Sequence, residues 1–184
     1  MIDRLFLDYS VRKLQQGAGC VDECLARLTE EQIWVRGSAN ENAVGNLVLH
    51  LCGNMSQWVL SGVGGAVNRR DRDSEFTASG GIGLRDKLRE TVNSTVTVIQ
   101  TAENLARTIQ VQNYEVTVLE AIYHVIEHFA GHAGQIIFAT KMLTGDDLGF
   151  YKHLKYSAHQ EKPLKFFAGC LAKGTAAPGK ARTV

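Results

Sequence analysis

From Val118 to Leu143 the chain keeps an apolar rhythm of fours and threes: Val118, Ile122, Val125, Phe129, Ile136, Ala139 and Leu143. One slot of that rhythm, where another apolar residue is due, is taken by His132. Such spacing draws a single stripe along an α-helix and none along a strand. A helix of this length with one apolar stripe must bury it against other helices, so the stripe calls for a bundle. A second stripe, Val44, Leu47, Val48, Leu51, Met55, Trp58 and Val59, marks a helix from about Ala43 to Leu60. Amphipathic stretches from Ile2 to Leu28, loosened near Gly17-Ala18-Gly19, and from Ile82 to Thr108 supply two more. Only 2 prolines interrupt 184 residues, which leaves long helices unbroken. No stretch shows convincing strand alternation. The expected fold class is all-α: a four-helix bundle with a C-terminal extension.

Local signals set the ends. Thr29-Glu30-Glu31-Gln32 and Thr117-Val118-Leu119-Glu120 both carry capping-box chemistry, the first opening a short helical turn and the second the last bundle helix. That helix closes before Gly145, and Ser61-Gly62-Val63-Gly64-Gly65 ends the second. Between Asn68 and Gly81 runs a polar connection with the charged string Arg69-Arg70-Asp71-Arg72-Asp73. Residues 1–156 are expected to form the bundle and 157–184 a basic tail, docked or flexible.

Composition removes several function classes. The net charge is +1, but residues 150–184 hold seven lysines and arginines against Glu161 alone, so the body is acidic. The tail is sparse and without a nucleic-acid motif, and solvation or docking on the acidic body is the expected role. No apolar run reaches the roughly 18 residues of a membrane span. Met1-Ile2-Asp3-Arg4 carries an early acid and does not read as a signal peptide. Cys20, Cys24, Cys52 and Cys170 lack disulfide-framework spacing, and free thiols fit a reducing cytoplasm. Cys20 and Cys24, at helical spacing, are expected to be small packing residues.

The last bundle helix carries His124, His128 and His132, one every fourth residue. At roughly 100° per residue, His132 lies about 35° from the centre of the apolar stripe, His128 about 75°, Gln135 about 95° and His124 about 115°. His128 and His132 are thus the inward pair, and two imidazoles four apart on the core side commonly offer two nitrogens to one ion. Neutral imidazole suits zinc, nickel, copper and iron. His124-Val125-Ile126-Glu127-His128 also matches the H-x-x-E-H pattern of inverzincin peptidases, but Glu127 points about 175° from the stripe, away from any such ion. On the second helix His50 lies about 120° from the stripe centre and Asn54 about 80°. Spacing leaves His50 open between a surface or interhelical histidine and a ligand.

Three separated segments, Asn46 to Trp58, Arg70-Asp71-Arg72-Asp73-Ser74-Glu75-Phe76 and His124 to Ile136, resemble the DinB/YfiT-like superfamily. The likeness is to its branch with the pattern HLxGN…QW, RDRDxEF and EHxxxHxGQI, and it covers roughly Leu5 to Leu154. It implies a four-helix bundle in which a second-helix histidine joins the last helix's H-x-x-x-H pair around a divalent metal. Here those are His50, His128 and His132, with zinc or nickel the expected ion. Asn54, Gln135 and His124 are candidates to orient the ligands, since a ligating imidazole usually donates its other N–H to an oxygen. Arg70 and Arg72 are candidates to grip an anionic substrate, against a salt-bridged loop in which each pairs with an aspartate neighbour. Trp34 and Trp58 are expected in the core before any pocket.

A three-histidine site leaves one position open, which leans catalytic. The ion can present hydroxide or hold a thiolate. The resemblance implies metal-dependent thiol transfer to small electrophiles, with a low-molecular-weight thiol or other small molecule as partner; a homodimer in the cytoplasm is the expected working form. The alternatives are a metal-dependent hydrolase and a non-catalytic, stress-associated metal-binding bundle.

Overall fold

The structure, a computed structural model, describes residues 1–150. Four long helices carry the stripes: α1 (Ile2–Arg27), α3 (Val44–Met55), α5 (Leu84–Gln100) and α6 (Val118–Thr144). Two short ones, α2 (Glu30–Trp34) and α4 (Arg72–Thr77), lie in the connections. α1 packs on α5 and α6, and α3 packs on the same two from the other side. The chain is an all-α bundle whose centre holds Leu14, Val21, Leu51, Met55, Leu88, Ile99, Ile122, Phe129 and Ile136. The compact unit is Met1–Leu148, and no helix of the described residues is long and apolar enough to cross a membrane. The expected boundary at 156 and the tail 157–184 lie outside the described residues.

Both capping boxes form. Thr29 Oγ1 accepts from Gln32 N at 3.2 Å while Gln32 Oε1 accepts from Thr29 N at 3.0 Å. Thr117 and Glu120 repeat the arrangement at 3.2 and 2.7 Å, and Gly145 takes the left-handed C-cap with φ 73°. α1 runs unbroken through Gly17 rather than loosening there, and a Cβ at that position would meet the Phe129 ring at 3.0 Å. The glycine lets α1 and α6 approach.

Three expectations need correction. The third bundle helix stops at Gln100 rather than Thr108, and Thr108–Val111 (β1) pairs antiparallel with Tyr114–Thr117 (β2). Ile109 and Val111 turn inward while Thr108 and Gln110 face out, a period of two that the apolar content had masked. The second bundle helix does not end as an α-helix. Its last part, Ser56–Val63, winds as a π-helix. On α6 the buried line after Phe129 runs through Ala133, Ile136 and Thr140, so His132 sits half-buried on the flank rather than in the central slot.

Asp22 ties α1 to α5. It accepts from Arg85 Nε and Nη2, each at 2.9 Å, and from Arg89 Nη2 at 2.9 Å. The Arg85 hydrogen bond, with that of Arg89 behind it, outweighs burial and holds the Asp22 carboxyl below its ordinary value. Asp22→Asn is expected to lower unfolding free energy by about 0.5 kcal/mol at neutral pH. Because the native value is depressed, this contribution is complete above a pH of about 4 and fades as pH falls through that native value. Urea unfolding of both proteins across that range checks it.

Candidate metal centre

His50 enters the bundle because α4 covers the flank of α3 that carries it. Its ring packs 4.8 Å from that of Phe76 and only 6% of the residue is exposed. From α6, His128 and His132 approach with ring centroids 4.9 and 5.1 Å from His50. The structure thus brings together His50, His128 and His132, with one nitrogen from each lying within 4.8 Å of the others. His50 Nε2 and His128 Nε2 are 3.1 Å apart. Two nitrogens on one tetrahedral zinc, each about 2.0–2.1 Å from the ion, stand about 3.3 Å apart. The cluster is compatible with a metal ion.

The proton positions follow from the neighbours. His50 Nδ1 lies 2.9 Å from Glu75 Oε2. Burial pushes the Glu75 carboxyl up, but hydrogen bonds from Arg70 and His50 more than reverse this and hold it below its usual range. An ionised carboxylate only accepts, so His50 carries its proton on Nδ1 and turns the Nε2 lone pair to the cluster. Arg70 supports the same carboxylate through Nε at 2.7 Å and Nη2 at 2.9 Å, and Nη1 donates to Gln57 at 2.9 Å. Nη2 also lies 3.0 Å from His50 Nδ1, where two N–H groups converge on one oxygen. The Arg70 and Glu75 side chains are 4% and 8% exposed. Gly53 makes room for them: a Cβ there would fall 1.8 Å from Glu75 Oε1 and 2.8 Å from Arg70 Nε.

On α6, His132 Nδ1 is 2.7 Å from Gln135 Oε1 and donates to it, leaving Nε2 free. Burial, then the charges of His132 and His50, push His128 down to about 3, so its ring is neutral at ordinary pH. Burial also lowers His132 and His124. Among the described residues no group bonds to the buried His128 Nδ1. Leaving a buried polar atom unpaired costs about 1–3 kcal/mol, a sacrifice of stability concentrated where three imidazoles converge.

Other sequence candidates fall differently. Asn54 is buried, but its partner is His124 Nε2 at 3.2 Å, outside the three-histidine group. His124 lies against Trp58 with centroids 4.1 Å apart. Arg70 pairs with Glu75, not with its aspartate neighbours, and little of its guanidinium remains for a ligand. Arg72 is exposed and rests 5.1 Å over the Phe76 ring. Asp71 instead caps α4, accepting from Ser74 N. Trp34 packs against Gly45 near the start of α3, away from this group. A cleft of about 520 Å³ opens beside His50 and His128, walled by Trp58, Arg72, Gln112, Tyr114 and His124. Sequence reasoning missed Glu75, Gln57, Gln112 and Tyr114. Glu75 stood inside the RDRDxEF string, but helical angles cannot show what a connection folds over.

The family model described as "Protein of unknown function (DUF1572)" matches residues 1–154. The chain belongs to that family. This DUF1572 protein is also similar to a DinB-like protein, YjoA, of Bacillus subtilis, whose crystal structure was determined at 2.30 Å resolution. The TM-score is 0.61 and the identity 16%, over 78% of this chain and 97% of that one. At that identity the likeness carries the fold. The family is thus shown by the model that matches it, and the fold is shared with a DinB-like protein. No curated protein matches the chain.

Breaking the buried pair tests the positioning of His50. Arg70→Met leaves Glu75 charged and unpaired, and is expected to destabilise the fold by about 3–5 kcal/mol at neutral pH. The deficit should narrow as pH falls, beginning above the usual carboxylate value of about 4.3, because burial without Arg70 raises the lone carboxyl and lets it protonate early. Denaturant unfolding at several pH values reads both effects.

Proposed function

We propose that this DUF1572 protein is a divalent-metal-dependent enzyme that transfers a low-molecular-weight thiol to a small electrophile. His50, His128 and His132 would hold the ion, with zinc or nickel preferred. The observation that carries the reading is convergence of three imidazoles beside an open cleft, with no fourth protein ligand in the group among the described residues. An ion held by three neutral donors keeps its full charge and an open position, where a thiol is deprotonated.

The chain's own residues support that use. Glu75 and Gln135 each accept the outer N–H of one imidazole, fixing tautomer and ring orientation. Burial keeps His128 neutral, and so available as a donor, far below physiological pH. Trp58 and Tyr114 give the cleft an aromatic wall, and Arg72 over Phe76 offers a cation to an anionic thiol or electrophile. The carboxylates at hand are already committed: Glu75 to Arg70 and His50, Glu120 to the Thr117 cap. Glu127 is exposed on the outer side of α6. A reaction needing a free carboxylate base is therefore less well served than one whose nucleophile the metal itself deprotonates. The reading places the enzyme in the cytoplasm, in keeping with the free cysteines Cys20, Cys24 and Cys52, and as a homodimer, in keeping with the exposed Tyr123, Phe138 and Met142 of α6.

Metal analysis of the purified wild type is expected to give stoichiometric zinc or nickel, and His128→Ala little. Chelation should lower the melting temperature of the wild type and leave that of His128→Ala in place. Equal metal in both proteins would remove the centre. With the centre intact, the loaded protein should consume small thiols in the presence of an electrophile and His128→Ala should not. Turnover of hydrolase substrates without any thiol consumption would replace transfer by hydrolysis.

A further inference from the structure

A second cavity, of about 440 Å³, lies between α3 with its π-helical continuation, α4, α5 and the connection that precedes α4. None of the clustered histidines lines it, although Arg70 borders both this space and the cleft. Its volume falls within the range of small-molecule sites. One wall is apolar, formed by Leu49, Leu60 and Val67, and Val67 stands 78% exposed at the edge. Cys52 completes that wall. Its burial pushes the thiol up to about 11, so the floor stays uncharged.

The charged groups around the cavity do not cancel. Glu75 is neutralised by Arg70, and the Asp71 carboxylate, turned to the cap of α4, is the one acid left against the remaining cations. Arg69 and Lys87 line the same space from two different elements, and neither makes an ion pair among the described residues. Arg69 and Lys87 against the one remaining carboxylate of Asp71 leave an excess positive charge, which over an apolar wall matches a molecule with an anionic head and a short hydrocarbon body. We propose that this cavity is a second binding site, for a small organic anion whose carboxylate or phosphate monoester is held by Arg69 and Lys87 and whose body lies on Leu49, Leu60 and Val67. It is separate from the metal centre and does not depend on the reaction proposed there.

Calorimetric titration of the full chain as purified, with hexanoate, hexyl phosphate and 1-hexanol, tests the site. One of the two anions should bind saturably, the tighter one naming the headgroup, with 1-hexanol at least about tenfold weaker. Arg69→Ala and Lys87→Ala are exposed substitutions that the fold tolerates, and each should weaken the anion about tenfold. Chelation of metal and His128→Ala should leave the affinity unchanged. Absence of saturable binding, equal affinity for 1-hexanol, or indifference to both cation substitutions would overturn the proposal. Loss of binding on chelation or in His128→Ala would also overturn it, by placing the anion in the histidine cleft.

Discussion

The three-histidine cluster depends on one carboxylate leaving water. An ionised Glu75 in the interior is affordable only with a charge against it, and Arg70 meets it with two hydrogen bonds. The pair then has one acceptor direction left for His50, and this fixes which imidazole nitrogen faces the cluster. Other residue choices follow from that arrangement. Position 53 must lack a side chain because the carboxylate occupies the space of its Cβ. Gln57 satisfies the remaining arm of the guanidinium, and Gln112 from the hairpin donates to the same Gln57 oxygen at 2.6 Å. The tip of β1–β2 is therefore joined by hydrogen bonds, through four side chains, to the ring of His50.

The histidines show the opposite economy. Burial and the proximity of neighbouring rings hold His128 and His132 below the ordinary imidazole value. Two of the three outer nitrogens are satisfied by Glu75 and Gln135, and the third, on His128, is not.

How much of this was legible beforehand depended on range. Features decided within one turn of helix read correctly: the capping boxes at Thr29 and Thr117 and the stop at Gly145. The burial of His50 was not decided on its own helix. α3 is enclosed on its flank by α4, a segment some twenty-five residues away in sequence, so an angle measured from the α3 stripe described a solvent face that does not exist. Arg70 misled for the same reason: adjacent aspartates suggested local pairing, whereas the partner lay across a turn at Glu75. Ile109, Val111 and Val116 carried a period of two, but over too short a stretch to stand out in the connection between two helices. The apolar line of α6 also drifts after Phe129, because a straight helix does not keep a strict seven-residue repeat, and this moved His132 from the centre to the edge.

The widened turns of Ser56–Val63 have a consequence for how this bundle can vary. A π-helical turn holds about one residue more than an α-turn of similar rise. Loss of a single residue there could be absorbed by a return to ordinary winding, with α3 before it and the connection after it left in place. The side chains presented along that stretch, Trp58 among them, would be reset to new directions. The segment thus acts as a slack link in an otherwise taut frame, through which the cleft wall can be remodelled while the histidines stay where they are.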